Sequence, residues 1–158
     1  MFSKILVPID GSEHSRRALA VAHRLVSGDG TLYLLNVAEW PHATDPLGIA
    51  AGARALGVSA EQVELSARRL LEKVEAAEQA GHGLMEQTKE QMGLADVDTE
   101  NIVRTGSPAD LILEEARRLG VDAIVMGSRG LSDLKGLILG SVSHKVLHAA
   151  SCAVITVR

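Results

Sequence analysis

The residues of this chain whose types and spacing suit a definite chemistry are Gly127-Ser128-Arg129-Gly130, then nine residues, then Gly140-Ser141. That chemistry is the holding of phosphate. Glycines let main-chain N–H groups approach an anion with no Cβ in the way, and a helix start adds N–H groups without intrahelical partners and the positive end of the helix dipole. The apolar run Val121–Met126 precedes the first glycine, and an apolar helical pattern carrying His144 and Lys145 follows Ser141, so the order is strand, loop, helix start. Ser141 stands where an N-cap belongs, its hydroxyl able to bond the helix or a phosphate oxygen. Neither common phosphate loop is present: no Gly-Lys-Ser/Thr follows, there is no Gly-x-Gly-x-x-Gly, and Gly81-His82-Gly83 lacks a third glycine and follows no strand.

Asp10, at the end of Ile5-Leu-Val-Pro-Ile-Asp10-Gly-Ser12, is the other residue with a choice of roles. It can cap the helix that follows, or accept hydrogen bonds from ribose hydroxyls or an adenine amino group. Arg129 can pair with phosphate charge or simply be solvated. His144 and His148 lie four apart on one helix, but no Glu follows the first and no third ligand is evident, so they do not form a zinc motif. Cys152 fits a packed small residue better than a nucleophile. No general base, positioned Lys or arginine finger for fast phosphoryl transfer stands out.

The glycine spacing closely resembles the nucleotide signature of the universal stress protein family, Gly-x-x-Gly, nine residues, Gly-Ser/Thr, and Gly127, Gly130, Gly140 and Ser141 match it at each position. The resemblance runs from Ile5–Ser12 to Val146–Arg158. It implies ATP, with the triphosphate on the backbone donors of the loop and helix start and with Ser128, Arg129, Val142 and Ser143 adding contacts. Asp10 would line the nucleoside pocket together with Pro8, Ile9 and Met126, and the main chain of Val37 would read the adenine edge. A magnesium or manganese ion would ride on the phosphates, with few protein ligands. The resemblance further implies a nucleotide-dependent regulator or sensor of the stress response and a homodimer paired through the C-terminal strand, with an unidentified regulatory protein partner. Slow Mg/Mn-dependent ATP hydrolysis is the enzymatic alternative, and an adaptor with a structural nucleotide is the third. Ala153 departs from the family, many of whose members have proline there.

These residues need a scaffold, and 158 residues suffice for one domain with a sizeable core. Only 2% of residues are aromatic, which leaves core packing to Leu, Val, Ile and Ala and argues against a base-stacking platform. The net charge of −4 also argues against a nucleic-acid partner. One cysteine, no signal-like N-terminal pattern and no long apolar run predict a cytoplasmic protein without a membrane span.

The apolar runs predict strands at residues 3–9, 31–37, 97–104, 123–126 and 153–157. Between them fall a helix capped by Ser12, buried through Ala18, Val21, Ala22 and Leu25, and terminated by Gly28, and a long helix from the Ser59–Gln62 capping box to Gln91. A kink or break is expected near Gly81 and Gly83. Ser107-Pro108 opens a third helix that buries Leu111, Ile112, Ala116 and Leu119 and stops at Gly120, and Ser141 opens the last. Residues 40–58 form a loop or insert. The alternation predicts an α/β, Rossmann-like fold, an open five-stranded parallel sheet with helices on both faces. The resemblance supplies the order 3-2-1-4-5, which sets Asp10 and Gly127 across one crevice.

Overall fold

A computed structural model describes residues 1–38, 55–95, 97–131 and 139–158. Its elements are β1 (Phe2–Pro8), α1 (Glu13–Leu25), β2 (Val26–Ala38), α2 (Ala60–Gln91), β3 (Thr99–Thr105), α3 (Pro108–Leu119), β4 (Ala123–Gly127), α4 (Ser141–Ala149) and β5 (Ala153–Val157). All strand pairs are parallel, in the order β3-β2-β1-β4-β5, so the α/β class and the strand order are as expected. One face of the sheet packs Ile5, Val7, Ile9 and Leu34 against Ala18 and Leu19 of α1 and Met85 of α2. The other packs Leu6, Leu35 and Ile124 against Ile112 and Ala116 of α3 and Val146 of α4. Strands covered on both faces have no polar side to show, which is why Ile5-Leu6-Val7 and Ala123–Met126 are continuous apolar runs.

Local signals explain most boundaries. Ser12 caps α1, its hydroxyl accepting from Ser15 N at 3.1 Å. Gly120, with φ 61°, terminates α3 in the left-handed conformation expected of it. The buried face of α3 is Ala109, Ile112, Leu113 and Ala116, with Leu111 and Leu119 only half-buried at its margins.

Two expectations fail. Gly28 does not terminate α1; the helix stops at Leu25 because Val26 already has extended backbone and pairs with Phe2, so β2 starts without a turn. Nor is α2 broken, since it runs as one helix through Gly81 and Gly83 for 32 residues. Gly81 is there for contact: a Cβ on it would stand 2.7 Å from Asn36 Oδ1 and 2.9 Å from Val103, so its absence lets the helix lie on the sheet. The helix ends in a Schellman turn, with Gly93 at φ 66°, Gly93 N donating to Glu90 O and Leu94 N to Lys89 O. From Ala60 to Ala80 no residue of α2 is buried, so some 30 Å of helix, at 1.5 Å per residue, lies outside the core. Of the expected insert at 40–58, residues 40–54 lie outside the described residues, and Ala55–Val58 are exposed. No helix among the described residues is long and apolar enough to cross a membrane.

Among the described residues the outer strand β5 keeps one edge unpaired. Ala153 N donates to Asp122 O and Val157 O accepts from Ser128 N, so alternate residues 153, 155 and 157 face β4. Val154 and Thr156 therefore turn their main-chain groups outward.

Candidate functional site

The order of the strands, not their direction, reverses between β1 and β4, and a cavity of about 580 Å³ opens there at the carboxyl ends of the strands. Pro8, Ile9 and Asp10 reach it from the end of β1, Val37 from β2, and Met126 and Gly127 from β4. Arg129 and Gly130 enter from the loop, and Gly140, Ser141, Val142 and Ser143 from the start of α4. Every residue expected in a nucleotide site thus lines one cavity, apart from Ser128. That side chain is buried beside the cavity, its hydroxyl without a partner among the described residues.

Main-chain bonds pin both ends of the glycine loop. Ser128 N donates to Val157 O and Gly140 N to Ser128 O, each at 2.7 Å. Ser143 Oγ adds a bond to Gly127 O at 2.8 Å. Of the spacer between Gly130 and Gly140, residues 132–138 lie outside the described residues.

The helix start differs from expectation by one residue. Gly140, not Ser141, is the N-cap, because Gly140 has extended backbone and its carbonyl accepts the first intrahelical bond from His144 N at 2.9 Å. Ser141 is the first helical residue. The N–H groups of Ser141, Val142 and Ser143 precede that first bond and open toward the cavity as an anion-binding end.

The three glycines are glycine for different reasons. A Cβ on Gly127 would stand 2.7 Å from His14 Cβ, so this position is fixed by the packing of α1 on β4. A Cβ on Gly130 would stand 2.7 Å from Asp10 Oδ2. At Gly140 a Cβ would meet nothing closer than 3.5 Å, an ordinary contact, at an ordinary φ of −74°. Nothing among the described residues requires glycine at 140, and the space beside it opens on the cavity.

Asp10 Oδ1 accepts from the main-chain N of Ser12, the residue that caps α1, at 2.9 Å, while Oδ2 faces Gly130. At the β2 end of the cavity the strand offers main-chain polar groups. Gly106 N donates to Ala38 O on the β3 side, and Ile9 N to Leu35 O on the β1 side. By the same alternation Val37 N–H and C=O face the β1 side, past the last β1–β2 pair at Pro8 and Leu35.

Ser15, Leu35, Asn36, Ala38, Pro108, Ile112 and Leu131 also line the cavity and were not expected there. Pro108 and Ile112 come from the first turns of α3, which the strand order brings over β2. Asn36 carried a signal in the sequence, an amide within the apolar run Leu34-Leu35-Asn36-Val37.

His144, His148 and Cys152 lie outside the residues that line the cavity. His148 Nδ1 lies 2.9 Å from His144 O, and the described residues contain no cluster of three or more metal-ligating side chains. Burial pushes the Cys152 thiol above its ordinary pKa, the reverse of an activated nucleophile.

A family model described as "Universal stress protein family" matches residues 1–158. Universal stress protein YxiE of Bacillus subtilis is 35% identical over 160 residues, covering 100% of both chains. Universal stress protein MJ0577 of Methanocaldococcus jannaschii is 29% identical, and a solved structure of MJ0577 matches with a TM-score of 0.67 over 99% of this chain and 96% of that one. A universal stress protein family protein from Arabidopsis thaliana, solved with AMP bound, shares the fold at a TM-score of 0.57 and 22% identity, over 98% of this chain and 90% of that one.

Proposed function

We propose that this chain, which belongs to the universal stress protein family, binds an adenine nucleotide in the crevice between β1 and β4, with ATP as its ligand and a stress-response regulator or sensor as its role. One observation carries this reading: a single cavity has at one end the N–H groups of α4 that precede its first intrahelical bond and at the other the main chain of Val37, which has no backbone partner among the described residues. The first suits a polyphosphate and the second an adenine edge, whose ring nitrogen accepts while its amino group donates. Guanine reverses that order of donor and acceptor and would leave polar groups unmatched. The volume of about 580 Å³ lies within the range of small-molecule sites. The AMP-bound relative adds the precedent of an adenine nucleotide in this fold.

The residues do the following. Ser141, Val142 and Ser143 offer N–H groups to phosphate oxygens, and Gly140 keeps the approach open. Asp10 Oδ2 accepts from ribose hydroxyls, and Arg129 sets positive charge at the cavity wall. A magnesium or manganese ion would be held mainly by the phosphates and supply charge neutralisation there. Nucleotide state rather than turnover is the output in this reading, and slow hydrolysis is the enzymatic alternative. The outward main-chain groups of Val154 and Thr156 support a homodimer through β5.

The deciding experiment measures nucleotide released from denatured, purified protein and then titrates ATP and ADP calorimetrically. ATP that copurifies or titrates, and is lost in folded Gly140→Trp, supports the reading. Folded protein that binds no adenine nucleotide would overturn it and favour an adaptor, for which the glycine motif is purely structural.

A further inference from the structure

The β1–β2 ladder stops one rung early. In a parallel pair the bonds alternate, and after Ile9 N–H donates to Leu35 O the next runs from Val37 N–H to Ile9 C=O. That bond is not formed. The Ile9 carbonyl instead accepts from Asn36 Nδ2 at 2.8 Å, within the buried interior. The carboxamide has a defined orientation, because its Oδ1 occupies the place where Gly81 lacks a Cβ.

From this we infer that Asn36 is a positioning residue: it takes the acceptor that would otherwise close on Val37 and so leaves the Val37 N–H and C=O presented to a nucleobase. This rests on the nucleotide reading above and deepens it by naming the side chain responsible for the base end of the site. Asn36 acts on the base through Val37, since its carboxamide is engaged with the Ile9 carbonyl and packed against Gly81. A carbonyl can accept twice, so Asn36 acts by drawing the Ile9 carbonyl to its own carboxamide and out of line with the Val37 N–H, a pull that a strand of purely apolar residues lacks. Gly81 takes part by leaving room for the carboxamide, so the docking of α2 and the recognition of the base share one side chain.

Amide exchange of the full chain, followed by NMR with and without ATP, tests this directly. In the free wild type the Val37 amide exchanges about a hundredfold or more faster than Leu35, whose N–H lies in the ladder, and ATP slows it. Asn36→Leu, which keeps the branched outline of the side chain but removes its hydrogen-bonding groups, lets the missing rung form. Val37 then becomes protected without ligand, and ATP affinity falls about tenfold while affinity for inorganic tripolyphosphate holds. Should that variant not fold, Asn36→Ser, too short to reach Ile9, takes its place, and the wild-type exchange is decisive by itself. A slow Val37 amide in the free wild type, or ATP affinity equal in wild type and folded Asn36→Leu, overturns the role of Asn36 while leaving ATP binding intact. A fast Val37 amide with no binding of ATP defeats the nucleotide reading, and the presentation role with it.

Discussion

Asp10 Oδ2 lies 2.7 Å from the point where a Cβ on Gly130 would stand, so the carboxylate occupies space that only glycine leaves open. The other oxygen is committed to Ser12 N. The two oxygens can therefore be separated by mutation. Asp10→Asn retains an acceptor for Ser12 and should fold with a stability change under about 1 kcal/mol, yet lose roughly ten- to a hundredfold in ATP affinity as charge-assisted bonds to ribose disappear. Asp10→Ala should show the same loss of affinity and also be destabilised by about 1 kcal/mol. Denaturant melts alongside calorimetry distinguish the two. Equal ATP affinity in wild type and Asp10→Asn would remove Asp10 from the site.

Gly140 and Gly127 should respond in opposite ways to alanine. At Gly140 the methyl group fits the protein and intrudes only on the cavity, so stability should stay within about 0.5 kcal/mol of wild type while ATP affinity drops at least tenfold. At Gly127 the methyl group meets His14, and a loss of about 1–3 kcal/mol in stability is expected. An unstable Gly140→Ala would mean that the glycine serves the fold.

Away from the cavity, the Glu115 carboxylate is 2% exposed and bridges Arg104 of β3, at 2.8 Å, and Arg118 of α3, at 2.6 Å. Burial pushes its pKa up, but the two guanidiniums outweigh burial and hold it below the ordinary glutamate value. A folded pKa below the unfolded one means stability that is fully present above the unfolded value, about 4.3, and lost as pH falls through the folded one. Glu115→Gln should cost about 2 kcal/mol at pH 7, and the gap to wild type should narrow below about pH 4. Chemical denaturation at several pH values measures it. A gap that does not change with pH would show the ion triad to be inert.

The unpaired edge of β5 offers a test of assembly. Thr156 turns its N–H away from β4, so Thr156→Pro removes an outward donor without touching the β4 ladder. Sedimentation should give a dimer for wild type and a monomer of near-normal thermal stability for the variant. A dimer that survives the proline would locate the contact elsewhere.

The fold was legible because fully covered parallel strands must be apolar throughout, and because Ser12, Ser59, Pro108 and Gly120 mark helix ends by backbone chemistry that acts locally. The site was legible because Gly127, Gly130, Gly140 and Ser141 keep a spacing tied to one loop geometry. What escaped were non-local effects. Gly81 looked like a helix breaker, and only its contact with Asn36 and Val103 shows it to be a docking point. Gly28 looked like a helix stop, but pairing of Val26 with Phe2 ends α1 earlier. Pro108 and Ile112 come to the cavity through strand order, which the residues around them do not encode.

The exposed arm of α2 gives the protein a built-in response to heat. Between Ala60 and Ala80 helical structure rests on the Ser59–Gln62 capping box, the Arg68–Glu64 pair and half-buried Val63, Leu70, Val74 and Ala77, with no buried residue to anchor it. Helices so supported are marginal in water and unwind gradually on warming, whereas the sheet and its covering helices melt together. Far-ultraviolet ellipticity should therefore drift downward well before the calorimetric peak, the arm fraying while the crevice is still intact.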